Sequence, residues 1–234
     1  MRLLRMVIHN VVFQFKHGFY LVYLIISLSY VALLRMLPYS FAQKVFSLII
    51  FSDISFLGLF FIGAIIFLER DQGIMQALFV TPLRITEYIL SEVFSLAFLS
   101  LIMGMLIGFL RFGLSFSALP IVLATFLAST LFTLFGIAIA VKQRRITSYF
   151  VICFFLIAPF FLPLLSYFDI YNSRVLQFFP TAVFLNLLDG SFKPVCFSYY
   201  MYALANCAVW IAVAWYFTTR RFTEYVINKT GEIQ

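Results

Sequence analysis

The chain has 234 residues, of which 64% are hydrophobic and 11% charged, and its formal net charge is +7. Soluble domains are roughly half apolar and about a quarter charged, so this composition excludes an ordinary soluble protein and predicts a single membrane domain over residues 1–234. The basic residues form no continuous patch, which excludes nucleic acid as a partner, and the two histidines and three cysteines lack the clustering that a metal site requires.

The first predicted element is an amphipathic helix at residues 1–18. At about 100° per residue, its charged side chains fall on one narrow stripe made of Arg2, Arg5, His9 and Lys16. This pattern is typical of an elbow helix that lies in the membrane interface. Two roles stay open for it, a topology anchor and a contact with a cytoplasmic partner.

Six apolar segments follow, each near the roughly 20 residues that a helix needs to cross hydrocarbon. They cover residues 19–37, 46–68, 93–110, 118–141, 149–168 and 199–218. Backbone polar groups cannot stay unpaired in lipid, so runs of this length predict helices, and the alternation of a β-barrel is absent from the sequence. The predicted fold is an all-α integral membrane domain with six transmembrane helices.

Lysine and arginine set the predicted orientation. With the N-terminus in the cytoplasm, eleven of the sixteen basic residues fall on the cytoplasmic side: Arg2, Arg5, Lys16, Arg70, Arg84, Lys142, Arg144, Arg145, Arg220, Arg221 and Lys229. Both termini are therefore expected in the cytoplasm of a multi-pass protein of a cell membrane, taken here as a bacterial plasma membrane.

Asp53 is the clearest ionisable residue inside a predicted span, and Ser52 and Ser55 flank it. Burying a charge in a bilayer costs several kcal/mol, so such a residue is a candidate for the substrate pathway. Three interpretations stay open: contact with a cationic substrate, a bond to a neighbouring helix, and hydration near the outer interface.

The loop at residues 69–92, between the second and third spans, combines charged residues with signals for helix ends. Gly73 can end the extension of span two, and Thr81 followed by Pro82 fits an N-cap and a first helical position leading into span three. A short helix between these signals would present an apolar face outside the hydrocarbon, made of Ile74, Met75, Leu78 and Phe79.

This loop resembles that of the ABC-2 type permeases, the membrane subunits of type-2 ABC exporters. The resemblance is carried by an acid-base pair, a glycine, a leucine, a Thr-Pro and a tyrosine: Glu69, Arg70, Gly73, Leu78, Thr81, Pro82 and Tyr88. In outline it extends over the whole chain, from the N-terminal helix to the last span.

The resemblance implies a transport subunit that couples to an ATPase on another chain. The loop would be a coupling helix that docks on an ABC ATP-binding subunit, with two copies of that subunit in each complex. A second permease subunit, identical or homologous, would complete the pathway, surrounded by membrane lipids. No cofactor is expected in this chain, and ATP and Mg would bind to the partner subunit.

The external segment at residues 169–198 is too apolar for a solvated loop, and Asp189-Gly190 marks a turn near its end. The resemblance implies short re-entrant helices here that close the outer end of the pathway, with Phe179 and Pro180 in the Pro-containing stretch. A half-span packed only for stability is the alternative.

The sequence lacks a GxxxxGK[ST] phosphate loop, a GxSxG elbow and an HExxH pair, so no enzymatic activity is expected in this chain itself. The resemblance implies an ATP-driven exporter, and a path lined by Phe, Tyr, Leu and Met would suit an amphipathic drug, peptide or lipid as its cargo. An ion- or proton-coupled carrier is the alternative, although it should carry several buried charges and an inverted repeat. A structural or assembly subunit is a third interpretation.

Overall fold

The computed structural model describes residues 2–74, 84–168, 170, 173–194 and 196–231, and within these ranges the chain is helical and contains no strand. The first half consists of α1 (Arg2–Lys16), α2 (Phe19–Arg35), α3 (Tyr39–Phe56), a π-helical turn (Leu57–Phe61) and α4 (Ile62–Asp71). The second half consists of α5 (Ile85–Phe112), α6 (Ala118–Ala140), α7 (Ile146–Phe161), α8 (Pro163–Tyr167), α9 (Arg174–Gln177), α10 (Pro180–Asp189) and α11 (Phe197–Gly231).

Several of these helices are long and apolar enough to cross a bilayer. In the described residues they form five stretches: Tyr39–Asp71, Ile85–Phe112, Ala118–Ala140, Ile146–Tyr167 and Phe197–Tyr225. α2 has 17 residues and meets α1 at a bend of 69°, and counting this bent pair gives six candidate spans. The predicted all-helical, multi-span architecture is confirmed.

The second and third spans extend well beyond their predicted boundaries. The second runs over 39–71 rather than 46–68, and the third over 85–112 rather than 93–110. The predicted boundaries were placed where polar residues begin, but the helices continue through Glu69 and Glu92 because neighbouring helices bury both side chains. Polarity in the sequence therefore marks helix contacts here as well as span ends.

The bend between α1 and α2 lies at Gly18, whose φ of 76° is in the left-handed region. A residue with a Cβ would be strained there, so glycine suits the change of direction. Beyond the bend, α1 lies against the beginning of α5, with Phe13 buried in the contact. The structure thus has a helix over Arg2–Lys16 and a bend of 69° after it, and the position of this helix in a membrane interface stays a prediction.

The core of the bundle forms around α6, which packs against α3, the π-helical turn, α4, α5, α10 and α11. Glycine permits α6 to lie close to the π-helical turn, since a Cβ on Gly136 would lie 2.6 Å from the carbonyl oxygen of Gly58. The π-helical turn also leaves the Leu59 carbonyl available to accept a hydrogen bond from the Tyr149 hydroxyl of α7. The turn thus joins three spans at one level.

The bundle has two distinct ends. We refer to one of them as the α1 end. It carries α1, the end of α4, the start of α5 and the connection between α6 and α7. We call the α10 end the opposite one, which carries α10 and the start of α3. On the sides, α7 exposes large apolar side chains such as Phe154 and Phe155, which are 66% and 78% exposed.

Candidate functional site

A cluster of buried and half-buried polar side chains lies at the α1 end, and we call it the polar junction. It joins α1, α4 and α5, and its members are Asn10, Gln14, Glu69, Arg70, Tyr88 and Glu92. Three of these residues, Glu69, Arg70 and Tyr88, are among the predicted coupling residues, so the fold brings them together. The other three were not predicted as site residues.

The first contact of the junction connects the end of α4 to the start of α5. The Tyr88 hydroxyl donates a hydrogen bond of 2.7 Å to Oε2 of Glu69, and each residue is only 5% exposed. The Tyr88 ring also packs on Phe222 of α11, with 5.3 Å between ring centroids. Tyr88 therefore contacts the buried Glu69 carboxyl group through its hydroxyl and α11 through its ring.

Arg70 points to a different element. Its guanidinium donates to the Gln143 carbonyl oxygen at 2.6 Å and to the carbonyl oxygens of Ala140 and Val141 at 3.3 and 3.4 Å. These oxygens lie where α6 ends, and the last carbonyls of a helix lack partners within the helix. A planar guanidinium can reach several of them at once, so Arg70 fixes α4 to the α6–α7 connection.

Aromatic rings complete the surroundings of Arg70. Its guanidinium carbon lies 5.1 Å from the ring centroid of Phe67 and 5.3 Å from that of Tyr225. Such cation–π contacts are attractive at these distances. Glu69 and Arg70 are thus an acid-base pair in sequence only, since each side chain bonds to a different part of the bundle.

A second set of contacts fixes α1 on α5. The Asn10 amide donates to the Ser91 hydroxyl at 3.1 Å and to Oε1 of Glu92 at 2.7 Å, and the Gln14 amide donates to the Ser95 hydroxyl at 2.9 Å. The spacing of the two amides, four residues apart in an otherwise apolar and basic helix, was the available sequence signal. The prediction for α1 was based on its charged stripe and did not include these two amides.

The predicted coupling helix is described only at its edges. Gly73, with φ 72°, follows the end of α4, and Ile74 is half-buried against the hydrophobic core. The remaining predicted residues lie outside the described residues: Met75, Leu78, Phe79, Thr81 and Pro82.

α5 begins at Ile85, three residues after the predicted first helical position at Pro82. The Glu87 carboxylate accepts a hydrogen bond from the Arg84 backbone N–H at 3.2 Å. This contact satisfies a backbone group at the helix start, where the first N–H groups have no partner within the helix. The described residues on both sides of residues 75–83 are therefore anchored at the α1 end.

Asp53 lies within the membrane-spanning part of α3 and is 7% exposed. Its Oδ2 accepts a hydrogen bond from the Tyr23 hydroxyl of α2. No Lys, Arg or His of the described residues forms an ion pair with it. Of the interpretations left open by the sequence, the bond to a neighbouring helix is present in the structure.

Phe179 and Pro180 lie at the beginning of α10. Pro180 is the first residue of the helix and is buried, and the Phe179 ring stacks on Trp210 with 6.0 Å between centroids. The Asn206 amide of α11 donates to the Phe178 carbonyl oxygen at 3.1 Å. This end of α10 therefore packs between spans rather than lying on the surface.

The other end of α10 is fixed by Asp189. Its Oδ1 accepts hydrogen bonds from the Ser47 hydroxyl at 2.6 Å and from the Tyr167 hydroxyl at 2.7 Å. Beside the helix is a cavity of about 400 Å³ between α8, α10 and α11. The predicted pathway residues thus occupy two places, Asp53 on α3 and the Phe179-Pro180 pair at the start of α10.

Comparisons with known proteins identify relatives over nearly the whole chain. The sequence model of the fluoroquinolones export permease protein family matches residues 1–230. Two proteins from two strains of Mycobacterium tuberculosis, each named a fluoroquinolones export permease protein, are 26% identical over 211 residues, which covers 88% of this chain and 88% of theirs. No solved structure matches the chain at a significant level.

Proposed function

Because this chain belongs to the fluoroquinolones export permease protein family, we propose that it is the membrane-spanning half of an ATP-driven ABC exporter whose ATPase is a separate chain. Its role as a transport permease subunit follows from the family. The ATP-binding partner, the pairing of permease subunits and the cargo are parts of the proposal.

The observation that carries the proposal is the attachment of α4 by Arg70 to the α6–α7 connection, beside the Glu69–Tyr88 contact. α4 ends at Asp71 and α5 begins at Ile85, so the described residues on both sides of 75–83 lie at this junction. A segment with both ends fixed to several spans transmits a push to all of them, whereas a loosely tethered loop would absorb it. This is the mechanical property that coupling to a moving ATPase requires.

The partner would contact the apolar face predicted from the sequence, Ile74, Met75, Leu78 and Phe79. Because Ile74 already packs partly against the hydrophobic core, most of the contact with the partner should come from Met75, Leu78 and Phe79. ATP and Mg would bind in the partner, and its closure on ATP would move the loop toward the membrane. The bonds of Arg70 and Tyr88 would pass that movement to α4, α5 and the α6–α7 connection.

The described residues supply at most six spans, so a second permease subunit is proposed to complete the pathway, with two ATP-binding subunits on the cytoplasmic side. Alternating access then requires the two halves to separate and close. α10 is the proposed outer gate, because the residues just before it are bonded to α11 and its last residue, Asp189, is bonded to Ser47 in the middle of α3.

The proposed cargo is an amphipathic, drug-sized aromatic compound. The names of the mycobacterial relatives specify fluoroquinolones, and their similarity to this chain extends over most of its length. The chain contains 32 Phe and 13 Tyr, which can offer ring faces to such a compound. We therefore favour a drug over a peptide or a lipid, the other two classes that the sequence allows.

The proposal is tested by purification of the chain with a candidate ABC ATP-binding protein from the same genome. The wild type should co-purify with it in detergent, and ATP should drive transport of a fluoroquinolone into inverted vesicles. The double variant Leu78→Asp, Phe79→Asp should lose the ATPase. Leu114→Asp is the matched control, because Leu114 is 90% exposed in the turn between α5 and α6 at the other end of the bundle.

Retention of the ATPase by the double variant would contradict the docking face. Fluoroquinolone transport that follows a proton gradient and ignores ATP would instead establish the carrier alternative.

A further inference from the structure

The surroundings of Asp53 lead to an inference that rests on the proposed function and specifies its cargo. We propose that Asp53, together with Tyr23, Ser27 and Tyr30 of α2, binds a protonated amine of the exported compound. Asp53 is buried within its span, has no counter-charge among the described residues, and lies near hydroxyl groups of α2 and aromatic side chains of α3.

Asp53 is buried within its span. The helical stretch Tyr39–Asp71 has 33 residues, Asp53 is in its middle third, and its side chain is 7% exposed. An ionised carboxylate buried in a span needs a proton or a cation, because bare burial costs several kcal/mol.

The part of the chain that the structure describes supplies no cation to Asp53. The single ion pair within the described residues joins Arg220 to Glu224 on α11. The bond that Asp53 makes comes from a neutral hydroxyl, that of Tyr23, to one of its two oxygens. The site is therefore negative or protonated, and a positively charged ligand is the complementary occupant.

α2 presents further oxygen atoms on the same side as Tyr23. Residues 23, 27 and 30 follow the i, i+4, i+7 spacing of one helix face. The Ser27 hydroxyl is fully buried and has no hydrogen-bond partner within the described residues. Tyr30 is half-buried and close enough to Asp53 to interact with it electrostatically.

A protonated amine carries two or three N–H donors, and this arrangement offers matching acceptors. The second carboxylate oxygen of Asp53 and the Ser27 oxygen can each accept one, and tyrosine faces attract a cation in addition. A single carboxylate among neutral hydroxyls is a poor site for a metal ion, and the described residues contain no group of three or more His, Cys, Asp or Glu that could hold one.

Asp53 also borders an open aromatic face. Phe56, one turn further along α3, is 45% exposed and stacks on Phe60 with 5.0 Å between centroids. Phe60 in turn lies 6.4 Å from Phe154 of α7, which is 66% exposed. An amphipathic compound with an aromatic ring system can place its rings on these side chains while its amine reaches Asp53.

The test measures binding of two fluoroquinolones to the chain in nanodiscs by fluorescence anisotropy. One carries a free piperazine amine and is protonated at neutral pH, and the other is the same compound acetylated on that nitrogen. The wild type should bind the free amine about tenfold to a hundredfold more tightly, which is the factor expected for one charge-assisted hydrogen bond.

Asp53→Asn should remove this preference by weakening the free amine alone, and Tyr23→Phe should reduce it. Ser52→Ala is the matched control, since the Ser52 hydroxyl bonds to the carbonyl of its own helix at Ile49, and it should keep the wild-type preference. A merely structural Asp53 would weaken both compounds equally, and that result would overturn the inference.

Equal binding of the two compounds by the wild type, or binding of neither, would also overturn it and would favour a proton as the occupant of Asp53. The proposed function is judged separately, by ATP-driven transport into vesicles with the co-purified ATPase. A wild type that shows no amine preference but still transports with ATP would reject the inference and keep the function.

Discussion

The Tyr88 hydroxyl donates to Glu69 across 2.7 Å, and this hydrogen bond joins the two helices on either side of residues 75–83. It lies beside the point where any force on that segment would enter the bundle. Both partners are buried, so the contact is part of the packed interior and cannot exchange freely with water.

Tyr88→Phe should destabilise the protein by about 1–3 kcal/mol, because the ring packing is kept while a buried carboxyl group loses its donor. Unfolding in detergent, followed by circular dichroism, measures this loss. Tyr216→Phe is the control, since Tyr216 is 59% exposed on α11 and should unfold like the wild type. Equal stability of the two variants would mean that Glu69 finds another partner.

Arg70→Lys should lower cargo-stimulated ATP hydrolysis about tenfold while leaving the complex assembled, because an ammonium group cannot bind several carbonyl oxygens in the way that a planar guanidinium does. The measurement is ATPase activity of the purified complex with and without a fluoroquinolone. Arg220→Lys, at an exposed ion pair with Glu224, should behave like the wild type. Full stimulation in Arg70→Lys would refute the role of this attachment in coupling.

Asn10→Ala should loosen α1 from α5. The variant leaves Oε1 of the buried Glu92 without its 2.7 Å donor, which costs about 1–3 kcal/mol locally. Hydrogen exchange of the α1 backbone, monitored by mass spectrometry, should become about tenfold faster or more. Val12→Ala changes a 44% exposed side chain of the same helix and should leave the exchange rates unchanged.

Gly136→Ala should destabilise the bundle by about 1–3 kcal/mol, because the new methyl group would collide with Ile62 and with the Gly58 carbonyl oxygen, which is only 2.6 Å away. Gly104→Ala is the matched change, since its nearest neighbours would be 3.8 and 3.9 Å away. Thermal unfolding of both variants gives the comparison. Similar midpoints would show that α6 can move away from the π-helical turn.

Cys196 offers a test of orientation. It is exposed just before α11, whereas Cys153 and Cys207 are buried. The hydrogen bond from the Ser198 hydroxyl, at 3.3 Å, lowers the pKa of the Cys196 thiol, so more thiolate is present at neutral pH. A membrane-impermeant maleimide should label intact cells at Cys196, and Cys196→Ser should remove the label. Labelling that requires broken cells would reverse the predicted orientation.

The sequence was sufficient for the spans because hydrophobic runs of about 20 residues leave little choice in a bilayer. It also pointed to Glu69, Arg70 and Tyr88, which the fold brings to one junction. The partners of these residues were beyond prediction, since Arg70 bonds to backbone carbonyls seventy or more positions away in the chain. Backbone atoms carry no residue identity, so no sequence pattern marks them.

Asn10 and Gln14 illustrate a different difficulty. Their polar groups are inconspicuous in a helix with four basic residues, and their partners on α5 lie about eighty positions away. The π-helical turn was likewise invisible, because Leu57–Phe61 is as apolar as its surroundings. The docking face of the coupling segment, the external gate and the role of Asp53 stay predictions.

The π-helical turn between α3 and α4 also sets which residues meet at the α1 end. A turn of this kind adds one residue to the helix, so everything beyond it is rotated by about 100° relative to a regular α-helix. In a regular helix of the same sequence, Leu68 would face the Tyr88 hydroxyl, and the Glu69 carboxylate would face the carbonyl oxygens of the α6–α7 connection. The π-helical turn thus fixes the rotation of Arg70 relative to Asp53, so that Asp53 faces Tyr23 of α2 while Arg70 faces the α6–α7 connection.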